Sequence, residues 1–394
     1  MILSIAIIGG MTLALILFGV WEFQQHQRYL RTIPIRIHVN GTRGKSSVTR
    51  LVGAGLRAGG YNTITKVTGT FPRMILSDGT EVVVHRKEKA NILEQLKIVQ
   101  FCSNHRADVL LIECMALQPI YQRITEHQMV KATHGVITNI RLDHLDVMGP
   151  KLQNVAEALS GTVPQKSKLF TAEDRMLDFL EKCAARRNTE LIASTGDQVA
   201  AEEMEGFTYI EHPENVALAL AICQDLGVDR AEALAAMKKT MPDEGALKKF
   251  SLTVEDHLLH FYNALAANDP ESSIMLWNNI LKMEADSVRK VIVLNNRKDR
   301  KERSEQLVQA AATLEFDSLC LTGENVDLVK SMALKQRIPE EKIVLIGQDE
   351  PAHQLQNMLP VLNGESVMVA FGNMGAGGAE FAKYIEETTK TNAL

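Results

Sequence analysis

The sequence predicts an α/β protein with a doubly wound, mostly parallel sheet, a smaller C-terminal Rossmann-like α/β domain, and a transmembrane helix at the N-terminus. Three observations predict it. Short apolar runs bounded by polar residues, such as DVLLIEC (108–114) and HGVITNI (134–140), mark strands buried on both faces. Helix-period stretches lie between these runs, which is the alternation of a doubly wound sheet. The stretch from Met1 to Trp21 carries no charged side chain.

That first stretch is long enough to be an anchor, because a helix of about 20 residues spans the roughly 30 Å hydrocarbon layer. Trp21 stands where an interfacial aromatic belongs, and Arg28 and Arg31 follow it. Positive charge on that flank keeps the rest of the chain in the cytoplasm, in a single-pass topology. A polar linker is expected over 22–33. The strand PIRIHV (34–39) comes next, then a helix through Val48, Leu51, Val52 and Leu56, ended by Gly59-Gly60. Another helix pattern runs from Asn91 to Cys102, and a long helical region from Pro213 to Thr240. A domain boundary is placed near Gly245. Beyond it the alternation resumes with VIVLNN (291–296), SLCLTG (318–323), KIVLIG (342–347) and SVMVAFGN (366–373).

Composition narrows the function classes. At 394 residues the chain is too long for one ordinary core. Apolar residues make up 45% and charged residues 23%, the profile of a folded protein. A net charge of −5 does not offer the basic surface that nucleic acid requires. Cys102, Cys114, Cys183, Cys223 and Cys320 are odd in number and scattered. That pattern is neither a zinc site nor a disulfide framework, and it fits a reducing compartment.

The sharpest local signal is Asn40-Gly41-Thr42-Arg43-Gly44-Lys45-Ser46-Ser47, between a strand and a helix. The backbone N–H groups of such a turn point at phosphate oxygens, helped by the helix N-terminus. Lys45 would reach the β- and γ-phosphates and the Ser46 hydroxyl would ligate Mg²⁺. The first glycine of the longer phosphate-loop pattern falls at Val39, leaving the shorter G-T-x-G-K-S form.

Glu113 ends the run DVLLIEC, at the sheet edge where ligand sites form, and an acidic residue there suits Mg²⁺. Asp143, His144 and Asp146 follow the next strand, and His144 is a candidate metal or phosphate ligand. A second glycine-containing loop, Lys66 to Arg73, offers Lys66, Thr70 and Arg73 to an anionic substrate or the transferring phosphate.

With VNGTRGKSSVTRL, TGTFPRMI, ECMALQPIYQ and NIRLDHLDVMGP in this order, the chain resembles the Mur ligase family. Within that family it looks most like the ligase subunits of bacterial poly-γ-glutamate synthases. The resemblance implies a central ATP-binding domain over 34–245 and a C-terminal α/β domain over 246–394. It also implies ATP and Mg²⁺, with Gly41 to Ser47 as the ATP loop, Ser46, Glu113 and His144 as metal ligands, and Lys45, Glu113 and His144 as the catalytic groups. Asn215 matches a nucleotide contact, and Asn268-Asp269-Pro270 resembles a segment that contacts ATP. The implied substrates are glutamate and a growing poly-γ-glutamate chain, with other membrane subunits as partners and a homo-oligomer as a further expectation. The peptidoglycan and folate enzymes carry a carbamylated lysine where this chain reads Ala156 to Gly161, without a lysine. Two alternatives remain open at this point: a membrane-anchored NTPase that drives a partner, and a ligase of the folylpolyglutamate synthetase type.

Overall fold

A computed structural model describes residues 2–68, 72–84, 86, 91–207, 209–241, 247–267, 269–285 and 287–392, with side chains from residue 7 to residue 390. Two compact units result. The first is Met1–Gly206 with His212–Met241, the second Phe207–Glu211 with Pro242–Leu394. Gly245, where the sequence places the boundary, lies outside the described residues.

The first unit begins with helix α1 (Ile2–Arg31). Its polar half, read from the sequence as a linker, continues the same helix. Gln24, Gln25, Gln27 and Arg28 are good helix formers, and Leu30 is buried with Ile33 against Ile98, Val99 and Val130. Strand β1 (Ile35–Asn40) leads to helix α2 (Lys45–Ala58), and β2 (Thr63–Val67) to the short strands β3 (Arg73–Ile75) and β4 (Glu81–Val83). Helix α3 (Glu94–Asn104), strand β5 (Val109–Glu113) and helix α4 (Pro119–Ile124) follow, with a π-helical turn at Thr125–Val130. Then come β6 (His134–Ile137), β7 (Lys168–Thr171) and β8 (Glu190–Ala193).

The eight strands lie in the order β4-β3-β2-β5-β1-β6-β7-β8, with every pair parallel except that β3 runs antiparallel to both β2 and β4. The register sets Val39 of β1 beside Glu113 of β5 and beside Val136 of β6. Three neighbouring strands therefore end together, and the segments that leave them share one edge of the sheet.

The second unit holds a six-stranded sheet in the order β13-β12-β11-β14-β10-β9. Its strands are β9 (Lys248–Val254), β10 (His257–Asn263), β11 (Arg289–Asn296), β12 (Ser318–Gly323), β13 (Ile343–Gly347) and β14 (Glu365–Gly372). All pairs are parallel except β9 with β10. The last four match the runs read from the sequence to within two residues at either end. The hairpin of β9 and β10 precedes them and departs from the expectation that the alternation resumes at 291. The long helical region from 213 to 240 also divides, into Pro213–Asp225 and Arg230–Lys238. Gly227 breaks it with a φ of 82°, and the Asp229 carboxylate caps the second piece by accepting from Ala231 and Glu232 N–H.

Candidate functional site

The turn after β1 closes on two glycines. Gly41 has φ 134°, and a Cβ there would fall 2.0 Å from Thr138 Oγ1 and 2.9 Å from its backbone nitrogen. Gly44 caps α2 in the left-handed conformation at φ 79°, and a Cβ there would meet Asn215 Oδ1 at 2.6 Å. Only glycine fits either place. Asn215, in the first turn of the helix Pro213–Asp225, is thereby packed on the loop where α2 begins.

The segment following β6 braces the same turn. Thr42 N–H donates to Asn139 O at 3.0 Å and Arg43 N–H to Asn139 Oδ1 at 3.0 Å. Thr138 Oγ1 donates to Arg43 O at 2.6 Å, and Asn139 Nδ2 to the same oxygen at 3.1 Å. Arg141 N–H donates to Thr42 Oγ1 at 2.7 Å. Glu173 holds the segment from behind, accepting from Ile140 N–H at 2.5 Å and Met176 N–H at 2.9 Å. At the root of the turn, buried Asn40 donates to Gln122 and Thr162. Sequence reading missed Asn139, Glu173 and Gln122 as supports. A polar residue just past an apolar strand was the only signal available for Asn139.

Lys45 Nζ curls back to donate to Gly41 O at 2.7 Å and Thr42 O at 3.1 Å. Burial lowers its pKa below the usual lysine range, and the Glu113 carboxylate opposes that shift. Ser46 Oγ donates to Glu113 Oε2 at 3.0 Å, and Thr68 N–H donates to the same oxygen at 2.7 Å. A hydroxyl and a carboxylate in contact at the head of α2 are hard oxygen donors. They fit Mg²⁺, whose ligands are oxygens. Lys166 and Lys168, the lysines that follow Gly161 in sequence, lie at the opposite, N-terminal end of β7, where Lys168 pairs with Asp225.

His144 is reached through charge contacts. Arg43 lies 3.5 Å from Asp143, whose Oδ1 accepts His144 N–H at 3.0 Å and whose Oδ2 lies 3.9 Å from His144 Nε2. His144 itself is left-handed at φ 47°.

The second loop departs from the sequence reading. Lys66 has no exposed side-chain surface and pairs with Glu94 of α3 at 2.5 Å, while Arg86 reaches the same carboxylate at 2.8 Å. Burial lowers the Lys66 pKa, and Glu94 opposes the shift. An anion therefore already occupies this lysine. Arg73 remains partly exposed and lies 3.6 Å from Glu81, which also binds Arg50 of α2. Thr70 and Asn268 lie outside the described residues. Asp269 belongs to the second unit, where its Oδ1 accepts Ser272 N–H at 2.9 Å and caps the helix Pro270–Met283.

Comparison with known proteins completes the picture. Residues 39–228 match the Mur ligase middle domain, and residues 250–388 match the poly-gamma-glutamate synthase CapB C-terminal domain. The capsule biosynthesis protein CapB of Bacillus anthracis is 35% identical over 383 residues, covering 96% of this chain and 82% of that protein. The PGA synthase CapB of Bacillus subtilis (strain 168) is 33% identical over 332 residues, 84% of each chain. Among solved structures, E. coli FolC in complex with DHPP and ADP aligns with a TM-score of 0.69 at 14% identity, covering 94% of this chain and 92% of that one. The bifunctional folylpolyglutamate synthase/dihydrofolate synthase of Yersinia pestis CO92, complexed with AMPPNP and Mn ion, aligns at a TM-score of 0.68 and 16% identity, covering 92% of each. The last two likenesses are of fold.

Proposed function

Because this chain belongs to the CapB family of poly-gamma-glutamate synthases, with its Mur ligase middle domain, we propose that it is an ATP- and Mg²⁺-dependent amide ligase that extends poly-γ-glutamate. A terminal glutamate γ-carboxylate oxygen attacks the γ-phosphorus of ATP, and the bond to the β–γ bridging oxygen breaks to release ADP. The amine of an incoming glutamate then attacks the acyl carbon, phosphate leaves with the electron pair of the C–O bond, and the nitrogen gives up a proton. Phosphorylation is needed because an unactivated carboxylate is a poor acceptor for an amine in water.

The observation that carries this reading is the contact between Ser46 and Glu113 beside Lys45 at the head of α2. Both reactants of the first step are anions, so catalysis rests on positioning and charge neutralisation. Ser46 and Glu113 would hold Mg²⁺, with His144 as a further ligand, and the ion would supply charge neutralisation at the phosphates. Lys45 would turn from the Gly41 and Thr42 carbonyls to the phosphate oxygens. Backbone N–H groups of Gly44 to Ser47, where the Gly41–Ser47 turn opens α2, bind the phosphates, while those of Thr42 and Arg43 are held by Asn139, and Asn215 contacts the nucleotide. Arg73 takes a carboxylate of the glutamate substrate. Helix α1 is a single-pass membrane anchor that joins the ligase to other membrane subunits, and the catalytic units lie in the cytoplasm.

The test is ADP release by membranes carrying the chain, with ATP, Mg²⁺ and labelled glutamate. Glutamate-dependent ADP release with γ-linked label in polymer supports the ligase. ADP release independent of glutamate, with no new amide, would replace it with an NTPase that drives a partner.

A further inference from the structure

Helix α1 does not end where its apolar stretch ends. His26 is buried, with Nε2 2.8 Å from Met129 O. Gln27 Oε1 accepts from Lys131 Nζ at 2.5 Å, and the same ammonium lies 6.0 Å from the Phe23 ring centroid. From Trp21 to His26 the helix rises only about 8 Å. A helix that spans the bilayer up to Trp21 leaves no slack before it docks on the catalytic unit, so the docking face itself lies at headgroup level.

That face carries several exposed basic side chains, with Asp108 beside the start of β1 and Asp225 paired to Lys168 at the start of β7 as acids among them. Lys131 precedes Ala132, whose carbonyl accepts from Ser167 Oγ at 3.2 Å. Neighbouring Lys166 donates its N–H to Arg187 O at 3.0 Å. Arg28, Arg31, Lys131, Lys166 and Arg186 are all exposed. Glu22 on the helix and Glu190 at the start of β8 are acids at the same end. Lys131 and Lys166 both hold left-handed backbone, at φ 50° and 54°. Glycine occupies such positions without strain, so each lysine keeps a side chain where the backbone alone favours none.

We propose that this face of the first unit, built on Arg28, Arg31, Lys131 and Lys166, rests on the anionic lipid headgroups of the membrane that α1 enters. The inference builds on the reading of α1 as an anchor and adds an orientation. The face lies at the N-terminal ends of β1, β6 and β7, so the phosphate loop at the C-terminal ends of the strands points away from the bilayer.

The test uses the full chain in nanodiscs with and without phosphatidylglycerol. A donor dye is attached at Gln128→Cys in a Cys183→Ser background, with an acceptor dye on the lipid headgroups. Energy transfer should rise with phosphatidylglycerol. It should fall in Lys166→Gly, which removes charge while relieving backbone strain, and in Arg28→Gln, by about fivefold per charge in the ratio of docked to undocked protein. Transfer that ignores both lipid charge and these substitutions, in protein that stays embedded, overturns the proposal. Release of the chain by alkaline carbonate would instead overturn the anchor reading, and the docked face would fall with it.

Discussion

Ser46 at the head of α2 and Glu113 at the end of the neighbouring strand share one hydrogen bond of 3.0 Å, across 67 residues of sequence. The register that pairs Val39 with Glu113 sets this contact before any ligand arrives.

Glu113→Gln keeps an acceptor for Thr68 N–H but removes the charge. We expect kcat to fall about 10²–10³-fold, the cost of one lost charge-stabilising contact. The Mg²⁺ concentration for half-maximal rate should rise with it. A Mg²⁺ titration that overlays that of the wild-type chain would remove Glu113 from the metal set.

Lys45→Ala should lower ATP-dependent amide formation by a similar factor. The fold should survive, because the lost bonds to Gly41 and Thr42 carbonyls are worth about 1 kcal/mol each. Labelled-glutamate incorporation and a thermal melt on the same preparation separate the two effects. Undiminished incorporation would displace Lys45 from the phosphates.

Gly41→Ala places a methyl 2.0 Å from Thr138 Oγ1 on backbone with φ 134°. Strain of this kind costs about 1–3 kcal/mol, so ATP should bind roughly 10–100-fold more weakly. Adding Thr138→Ala should restore little, because the Thr138 backbone nitrogen stands 2.9 Å from the same methyl. Calorimetric titration with ATP reads both variants, and full rescue by the second change would show that backbone conformation is unimportant here.

His38, two residues before the phosphate loop, is buried with Nδ1 2.8 Å from Glu126 Oε2. Burial alone would lower its pKa, but the neighbouring Cys114 sulfur and the hydrogen-bonded Glu126 carboxylate raise it to about 10. An unfolded histidine titrates near 6.5. The stability this gives is fully present below about 6.5 and is lost as pH rises through about 10. Urea midpoints should therefore fall between pH 7 and pH 10 more steeply for the wild-type chain than for His38→Gln. Parallel pH profiles would count against a protonated His38.

Arg73→Ala should raise KM for glutamate with a smaller effect on kcat, because the guanidinium is assigned to binding a carboxylate. An unchanged KM would leave Arg73 as a structural partner of Glu81 alone.

The glycine turn after β1 and the strand end at Glu113 were legible because their signals are local. Gly41, Gly44, Lys45 and Ser46 stand at fixed spacing between a strand and a helix, and Glu113 closes an apolar run. The fate of Lys66 was not legible. Its partner Glu94 belongs to another element, and only the packed structure shows that this cation is already neutralised. The second half of α1 looked like a linker because its residues are polar, yet Leu30 and His26 are buried by α3 and the π-helical turn. The strand pair β9–β10 was hidden for a related reason. Lys248, Lys249 and Ser251 dilute its apolar signal, and the pairing with β14 is non-local.

The segment 138–144 has two duties. Thr138, Asn139 and Arg141 clasp the glycine turn after β1, and a few residues later the same ribbon carries His144. Arg43 ties the two together: its carbonyl accepts from Thr138 and Asn139, and its guanidinium lies beside Asp143, whose carboxylate accepts His144 N–H. An exchange at Asn139 therefore reaches the neighbourhood of the histidine, so protein engineers should graft this stretch as one cassette instead of editing it position by position.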